Sequence, residues 1–194
     1  MIEGLLKALQ LKDEVRTGWE LRNIEDPESV ADHSWGVALL TIVYGEEAEI
    51  DTEKALKMAV VHDIAEAETG DLVTRAIDEK QDVEKEEKEE MEEEVVEKLS
   101  GLMESEELEE LWKEYEERET KEAKFVKDMD LIDMCLTALK YEKESRYDPE
   151  EENENFQEYE NLDEFFATSE PRIKTLKGQE LFRDIKERYE EAKQ

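Results

Sequence analysis

Apolar residues recur at i, i+3, i+4 and i+7 along most of this 194-residue chain, and acids fill the positions between them. A period of 3.6 gives each helix one apolar stripe and leaves the rest of its surface to water, so the pattern specifies amphipathic helices that pack on one another. Seven Gly and three Pro supply few tight turns, which argues against a strand-rich sandwich. The expected fold class is all-α. No internal repeat and no Gly/Ser- or Pro-rich linker divides the chain. Residues 1–194 therefore read as a single domain, with a core over about 5–145 and a C-terminal extension over about 146–194.

Asp and Glu number 59 against 26 Lys and Arg, a formal charge of −33. A field of that sign repels nucleic-acid backbones and anionic membrane surfaces, so neither is expected as a partner. Because the acids alternate with apolar residues at helical spacing, they form the skin of a folded protein and not a disordered tail. Salt-rich surroundings would screen their mutual repulsion. Cys135 is the single cysteine, which excludes an internal disulfide and a Cys-rich zinc module and suits a reducing cytoplasm. No apolar run approaches the ~18 residues of a membrane span, and residues 1–7 are too short and too acidic for a signal peptide.

The spacing predicts a short helix over 2–12 on Ile2, Leu5, Leu6 and Leu9, then a loop at 23–27. Pro27 and Ser29 start a second helix that carries Val30, His33, Val37 and Leu40 on one face to about Gly45. Asp51 caps a third, whose stripe Ala55, Ala59, His62, Glu66 ends at Gly70. Residues 76–100 hold 12 acids and 4 Lys, yet Met91, Val95, Leu99 and Leu102 keep helical spacing, so this run reads as one long helix with a solvated outer face. Helices over about 106–118, with the stripe Leu108, Leu111, Trp112 and Tyr115, and 121–145, with Phe125, Met129, Ile132, Leu136 and Leu139, complete the core, and 153–161 is a loop. Pro171 and Gly178 punctuate two short helices that end near Glu190. Trp35, Trp112 and the methionines read as packing residues.

Only two His occur, His33 and His62, and both lie on apolar helical faces. A buried His ordinarily ends as a hydrogen-bonded core residue. Here the neighbours point elsewhere. His62 and Asp63 are successive helical positions about 100° apart, close enough for both side chains to reach one ion, and Glu66 lies a turn further on. Burying such carboxylates with no cation is unfavourable. Between Lys127 and Asp133, Asp130 falls on a face with Val126 and Asp133, whereas Asp128 lies nearer the exposed side. Asp130 is thus the better ligand, and Asp133 a partner that would orient one. An EF-hand reading of this stretch fails, since the loop Gly and the Glu at loop position 12 are missing.

His33, His62-Asp63 and a distant Asp130 resemble the H…HD…D signature of the HD-domain metal-dependent phosphohydrolases. The likeness extends further. The stretch from Arg16-Thr-Gly-Trp19 through Arg22-Asn-Ile to Pro27-Glu-Ser-Val-Ala-Asp-His33-Ser resembles the N-terminal block of the HD-domain 5′-deoxynucleotidases. Val61-His62-Asp63-Ile-Ala-Glu66-Ala-Glu-Thr-Gly70-Asp71 resembles their second block, and Glu110-Leu-Trp112 through Glu122-Ala-Lys-Phe-Val-Lys127 to Asp130 their third. The three blocks run in order over about residues 5–145, and the last 50 residues are similar only loosely.

The resemblance implies an HD-type helical bundle with His33, His62, Asp63 and Asp130 as ligands of one divalent ion. Two imidazoles and two carboxylates leave positions open on a six-coordinate ion, which suits Mn²⁺, Co²⁺ or Fe²⁺, with Mg²⁺ admissible, better than a closed zinc site. It further implies that Arg16 neutralises phosphate charge, Glu66 transfers a proton or orients water, and Asp71 contacts the sugar hydroxyl, with Trp19 filling the space of a 2′-hydroxyl. Thr17 and Gly18 separate Arg16 from Trp19, where the bacterial deoxynucleotidases have the pair adjacent; this spacing is similar to that of another branch. The activity expected is hydrolysis of deoxynucleoside 5′-monophosphates by a homodimer. Two alternatives stay open: an HD phosphohydrolase of another nucleotide or small phosphoester, and a non-catalytic metal- or nucleotide-binding helical module.

Overall fold

The computed structural model describes residues 1–73, 75 and 85–193. Its elements are helices, in order α1 (Ile2–Ala8), α2 (Thr17–Leu21), α3 (Val30–Tyr44), α4 (Thr52–Val61), α5 (Glu66–Thr69), α6 (Lys85–Met103), α7 (Glu106–Glu117), α8 (Lys121–Glu144), α9 (Asp163–Ser169) and α10 (Leu176–Ala192). Short 3₁₀ turns at Leu9–Lys12, Glu154–Phe156 and Glu170–Arg172 join some of them. Among the described residues there is no strand, only one isolated antiparallel bridge between Val15 and Ser29. The all-α expectation is met.

Helix α8 is the axle of the bundle. It is buried on nearly every side, with Phe125, Val126, Met129, Ile132, Cys135, Ala138 and Tyr141 all in the core, and α3, α4, α7, α9 and α10 pack around it. A helix enclosed by its neighbours has no single apolar stripe. This explains why the acids of its middle turns are interior groups. A smaller core of Ile64, Ala65, Val96, Leu99, Leu108 and Trp112 joins α6 and α7 to the turn after α4. Three helix starts follow the sequence: Ser29 and Asp32 form a capping box on α3, Asp51 accepts the Lys54 N–H at α4, and Thr120 accepts the Ala123 N–H at α8.

Several expectations need correction. The helix through His62 does not run on to Gly70: α4 stops at Val61, residues 62–65 turn, and α5 begins at Glu66, ended by Gly70 at φ +74°. The first part of the long acidic helix, 76–84, lies outside the described residues. From Lys85 on, its buried line is Glu92, Val96, Leu99 and Ser100, and Met91 is exposed, because Glu92 turns inward to pair with Lys88. The C-terminal helices are unequal, α9 having 7 residues and α10 17. Gly178 breaks neither; it sits in the first turn of α10, where a Cβ would come within 2.4 Å of Asp128 Oδ2.

Asp128 itself is buried and not outward-facing. It accepts the backbone N–H groups of Lys174 and Thr175 and the Thr175 hydroxyl, so it clamps the start of α10 to α8. Trp112 packs inside, but Trp35 is 69% exposed and is not part of the core. The stripe of α1 also faces outward, with Ile2, Leu5, Leu6 and Leu9 exposed and the tight contact made instead by Gly4 against Leu102 and Met103 of α6.

Candidate metal centre

The two imidazoles are held by opposite ends of their helices. His33 lies in the first turns of α3 and His62 follows the last residue of α4, and their rings meet edge-on with centroids 5.4 Å apart. His33 Nδ1 lies 2.8 Å from Asp133 Oδ2, and His62 Nδ1 lies 2.8 Å from the Ala59 carbonyl oxygen. A carboxylate and a carbonyl can only accept, so each Nδ1 carries the hydrogen and each Nε2 of a neutral ring offers its lone pair. Gly36 makes the first of these contacts possible: a Cβ there would sit 2.0 Å from Asp133 Oδ1.

Both Nε2 atoms are buried and neither has a hydrogen-bond partner among the described residues. Carboxylates crowd them without reaching hydrogen-bond geometry. Asp130 Oδ1 is 3.2 Å from His33 Nε2, and Asp63 Oδ2 is 3.1 Å from His62 Nε2 and 3.7 Å from His33 Nε2. Ligand atoms of His33, His62 and Asp130 lie within 4.8 Å of one another, and the cluster could hold a metal ion. Two unpartnered buried nitrogens facing two carboxylates are a poor arrangement for a core and a fitting one for a divalent cation.

The other oxygen of Asp130 is occupied. Oδ2 accepts from the Tyr115 hydroxyl and from Lys127 Nζ, both at 2.7 Å, which leaves Oδ1 directed to the histidines. Burial lowers the His33 pKa and Arg16 adds to that, but the hydrogen bond to Asp133 and the close carboxylates of Asp130 and Asp133 prevail and raise it to about 10. Burial acts to raise Asp63, yet the His62 and His33 rings and the Arg16 guanidinium hold it well below the usual carboxylate range. Glu66 goes the other way. Burial and the charges of Asp63 and Asp71 push it well above its ordinary value, and its Oε2 has no partner among the described residues.

A cleft opens over the Asp63 and Asp130 carboxylates of the cluster. Arg16, Arg75, Lys88, Lys127 and Arg172 line it together with Asp63, Glu66, Asp71, Asp130 and Glu164, so its formal charge is balanced inside a chain of −33. Arg16 lies in it with Nη1 3.3 Å from Asp63 Oδ2 and Nε 3.9 Å from Asp71 Oδ2. Asp71 pins the start of α2: its Oδ2 accepts the Thr17 N–H at 2.7 Å and its carbonyl accepts the Thr17 hydroxyl at 2.8 Å. Trp19 lines the cleft but is almost wholly enclosed. Its Nε1–H donates to Glu28 Oε1 at 3.0 Å, and its ring stacks on Phe165 with centroids 4.0 Å apart.

The HD domain family model matches residues 8–173. The chain belongs to the HD domain family. This HD-domain chain is 41% identical over 73 residues to the mouse 5′-deoxynucleotidase HDDC2, an alignment covering 36% of each chain. It is 46% identical over 63 residues to the 5′-deoxynucleotidase hdd1 of Schizosaccharomyces pombe, covering 32% of this chain and 31% of that one. The matched stretches thus span about a third of these curated relatives. Among solved structures, the PH0347 protein of Pyrococcus horikoshii OT3 is similar over 100% of both chains, at 35% identity and a TM-score of 0.74.

The residues singled out in the sequence come together: His33, His62, Asp63 and Asp130 at the cluster, with Arg16, Trp19, Glu66 and Asp71 on the cleft walls. Sequence reasoning missed Tyr115, Lys127 and Lys88. Tyr115 sat in an apolar stripe, and Lys127 stood only as part of a motif block. Lys88 was concealed in the acidic run, where its four-residue offset from Glu92 was the available signal; its Nζ donates to the Leu72 carbonyl at 2.9 Å and lines the cleft.

Proposed function

We propose that this HD-domain protein is a metal-dependent phosphomonoesterase that hydrolyses deoxynucleoside 5′-monophosphates to deoxynucleoside and phosphate. The observation that carries this reading is the pair of buried Nε2 atoms, free of protein partners among the described residues, facing Asp63 and Asp130 under a charge-balanced cleft. His33, His62, Asp63 and Asp130 are the residues that would hold the ion, of the Mn²⁺, Co²⁺ or Fe²⁺ type with Mg²⁺ admissible. When bound, a divalent cation supplies Lewis acidity for phosphoester hydrolysis.

The protein groups do the rest. Arg16 neutralises phosphate charge from the cleft wall, and a balanced lining lets a dianion approach despite the global field. Glu66, raised by burial and by Asp63 and Asp71, is suited to hold a proton at Oε2, which has no partner among the described residues, and to pass it to the departing 5′-oxygen. Asp133 fixes the His33 ring, and Tyr115 and Lys127 fix Asp130. Trp19 gives its N–H to Glu28, so it offers a 2′-hydroxyl no hydrogen bond, and Asp71 sets the position of Arg16 through Thr17. The names of the relatives favour deoxyribose in the substrate.

A homodimer in the cytoplasm belongs to the same reading. On α3 the outer face exposes Trp35, Leu39, Ile42 and Val43, an apolar stripe suited to a second copy, and the lone Cys135 is buried with its thiol pushed up to about 12, inert under reducing conditions. Metal content decides the assignment. His62→Ala or Asp63→Ala, dialysed and analysed for bound metal, is expected to lose the ion and phosphate release together; stoichiometric metal with normal turnover would refute it.

A further inference from the structure

Of the five cations that line the cleft among the described residues, four already meet a carboxylate. Arg16 lies 3.3 Å from Asp63, Lys127 2.7 Å from Asp130 and Lys88 3.4 Å from Glu92, and Arg75 grips Glu164 with two contacts of 2.9 Å. Arg172 differs. Half-buried on the same wall, it makes no hydrogen bond or ion pair among the described residues, in a chain where 59 acids face 26 Lys and Arg. The path of the chain sets it at the ligand end of the cleft. Residues 169–175 run back along α8, with Ser169 against the Cys135 thiol and the Thr175 N–H and hydroxyl on Asp128. Arg172 falls between these anchors, level with the turn of α8 that carries Asp130, and its charge opposes that of Lys127.

A phosphate monoester brings a dianion into this cleft, and the phosphoryl group is the one ionised group of a deoxynucleoside 5′-monophosphate. Arg16, at the start of α2, already shares its charge with Asp63 and Asp71. Arg172 shares its charge with no carboxylate. We propose that Arg172 is a second phosphate-binding arginine, which takes phosphoryl oxygens at the Asp130 end of the cleft while Arg16 takes them at the Asp63 end. This rests on the phosphomonoesterase reading above and deepens it. The planar fork of a guanidinium fits two oxygens of one phosphate, which a lysine ammonium does not reproduce. A hydrogen bond to a charged group contributes roughly 10- to 150-fold in binding. The C-terminal segment thus completes the phosphate site that the helical bundle begins.

Inorganic phosphate isolates this contact because it carries neither sugar nor base. Calorimetry on metal-loaded wild type, Arg172→Gln and Arg172→Lys measures its binding, with a free deoxynucleoside as the control ligand and kcat/KM for the deoxynucleoside 5′-monophosphates alongside. Arg172→Gln is expected to weaken phosphate binding and lower kcat/KM by roughly 10-fold or more, with deoxynucleoside binding as in wild type. Arg172→Lys, which keeps the charge and loses the fork, should fall between the two. Arg172 has no partner to lose among the described residues, so both variants should melt with wild type, and loss of phosphate binding is then not unfolding. Phosphate affinity and kcat/KM equal to wild type in Arg172→Gln overturn the proposal, as does a loss of deoxynucleoside binding in place of phosphate binding. If metal-loaded wild type hydrolyses no nucleotide, the phosphomonoesterase reading fails instead. Phosphate calorimetry then judges Arg172 alone: binding weakened in Arg172→Gln upholds its role, and binding that is unchanged, or absent from wild type, removes it.

Discussion

Gly36→Ala tests how the metal centre is supported without touching a ligand. The added Cβ would lie 2.0 Å from Asp133 Oδ1 and 2.7 Å from its Cγ, so the carboxylate must leave its position against His33 Nδ1. Losing such a partner typically weakens metal binding by roughly 10- to 100-fold. Folding stability changes less, because the overpacking penalty of about 1–3 kcal/mol is offset by the ~1 kcal/mol by which Ala exceeds Gly in a helix. The separation is readable in a melt. At a metal concentration 100 times the wild-type dissociation constant, the ion stabilises wild type by about 2.7 kcal/mol and the variant by only about 0.4–1.4 kcal/mol. At 2–4 °C per kcal/mol for a chain of this size, the metal-induced rise in Tm should shrink by roughly 3–9 °C. Titration against a competing chelator gives the affinity directly. An affinity and a Tm rise equal to wild type would refute the view that Gly36 exists to admit Asp133.

Three further outcomes follow from the same structure. Glu66→Ala should keep its metal and lose roughly 10²–10⁴ in turnover, the usual share of a positioned acid–base group, as read by elemental analysis beside steady-state rates. In metal-free protein His33 is raised from 6.5 to about 10 and Glu92 from 4.5 to about 7, so their stabilisation is complete at low pH and lost as pH rises through those values. Melting temperatures of the chelated protein should therefore fall between pH 6 and 10 while metal affinity rises, because binding displaces the His33 proton. Asp128→Ala removes three hydrogen bonds that clamp α10 to α8 and should cost about 1.5–3 kcal/mol or more in denaturant melts, with the metal affinity of the folded protein retained.

The helices with one wet face were legible because period and caps agreed, as in α7, whose buried Leu108, Leu111, Trp112 and Tyr115 are those of its stripe. Legibility failed where a helix has no wet face or no core beneath it. Asp128 looked outward by phase, but α8 is surrounded, and its inward acids differ only in what meets them: Lys174 and Thr175 for Asp128, His33 for Asp130 and Asp133. The stripes of α1 and the outer face of α3 had the spacing of core residues, yet Trp35 and Leu6 are exposed. The cluster itself was readable because two histidines in 194 residues leave few pairings. Its supports were not, since Tyr115, Lys127 and Gly36 act through distances that no local pattern encodes.

We propose that this cluster, loaded with one divalent ion, releases phosphate from deoxynucleoside 5′-monophosphates. The most direct measurement is phosphate release from matched deoxyribo- and ribonucleoside monophosphates by chelated protein, repeated as each divalent metal is added back. No turnover after chelation, recovery at one metal per chain with Mn²⁺, Co²⁺ or Fe²⁺, and higher kcat/KM for the deoxyribonucleotides are expected. Turnover untouched by chelation, or none with any metal, would contradict it.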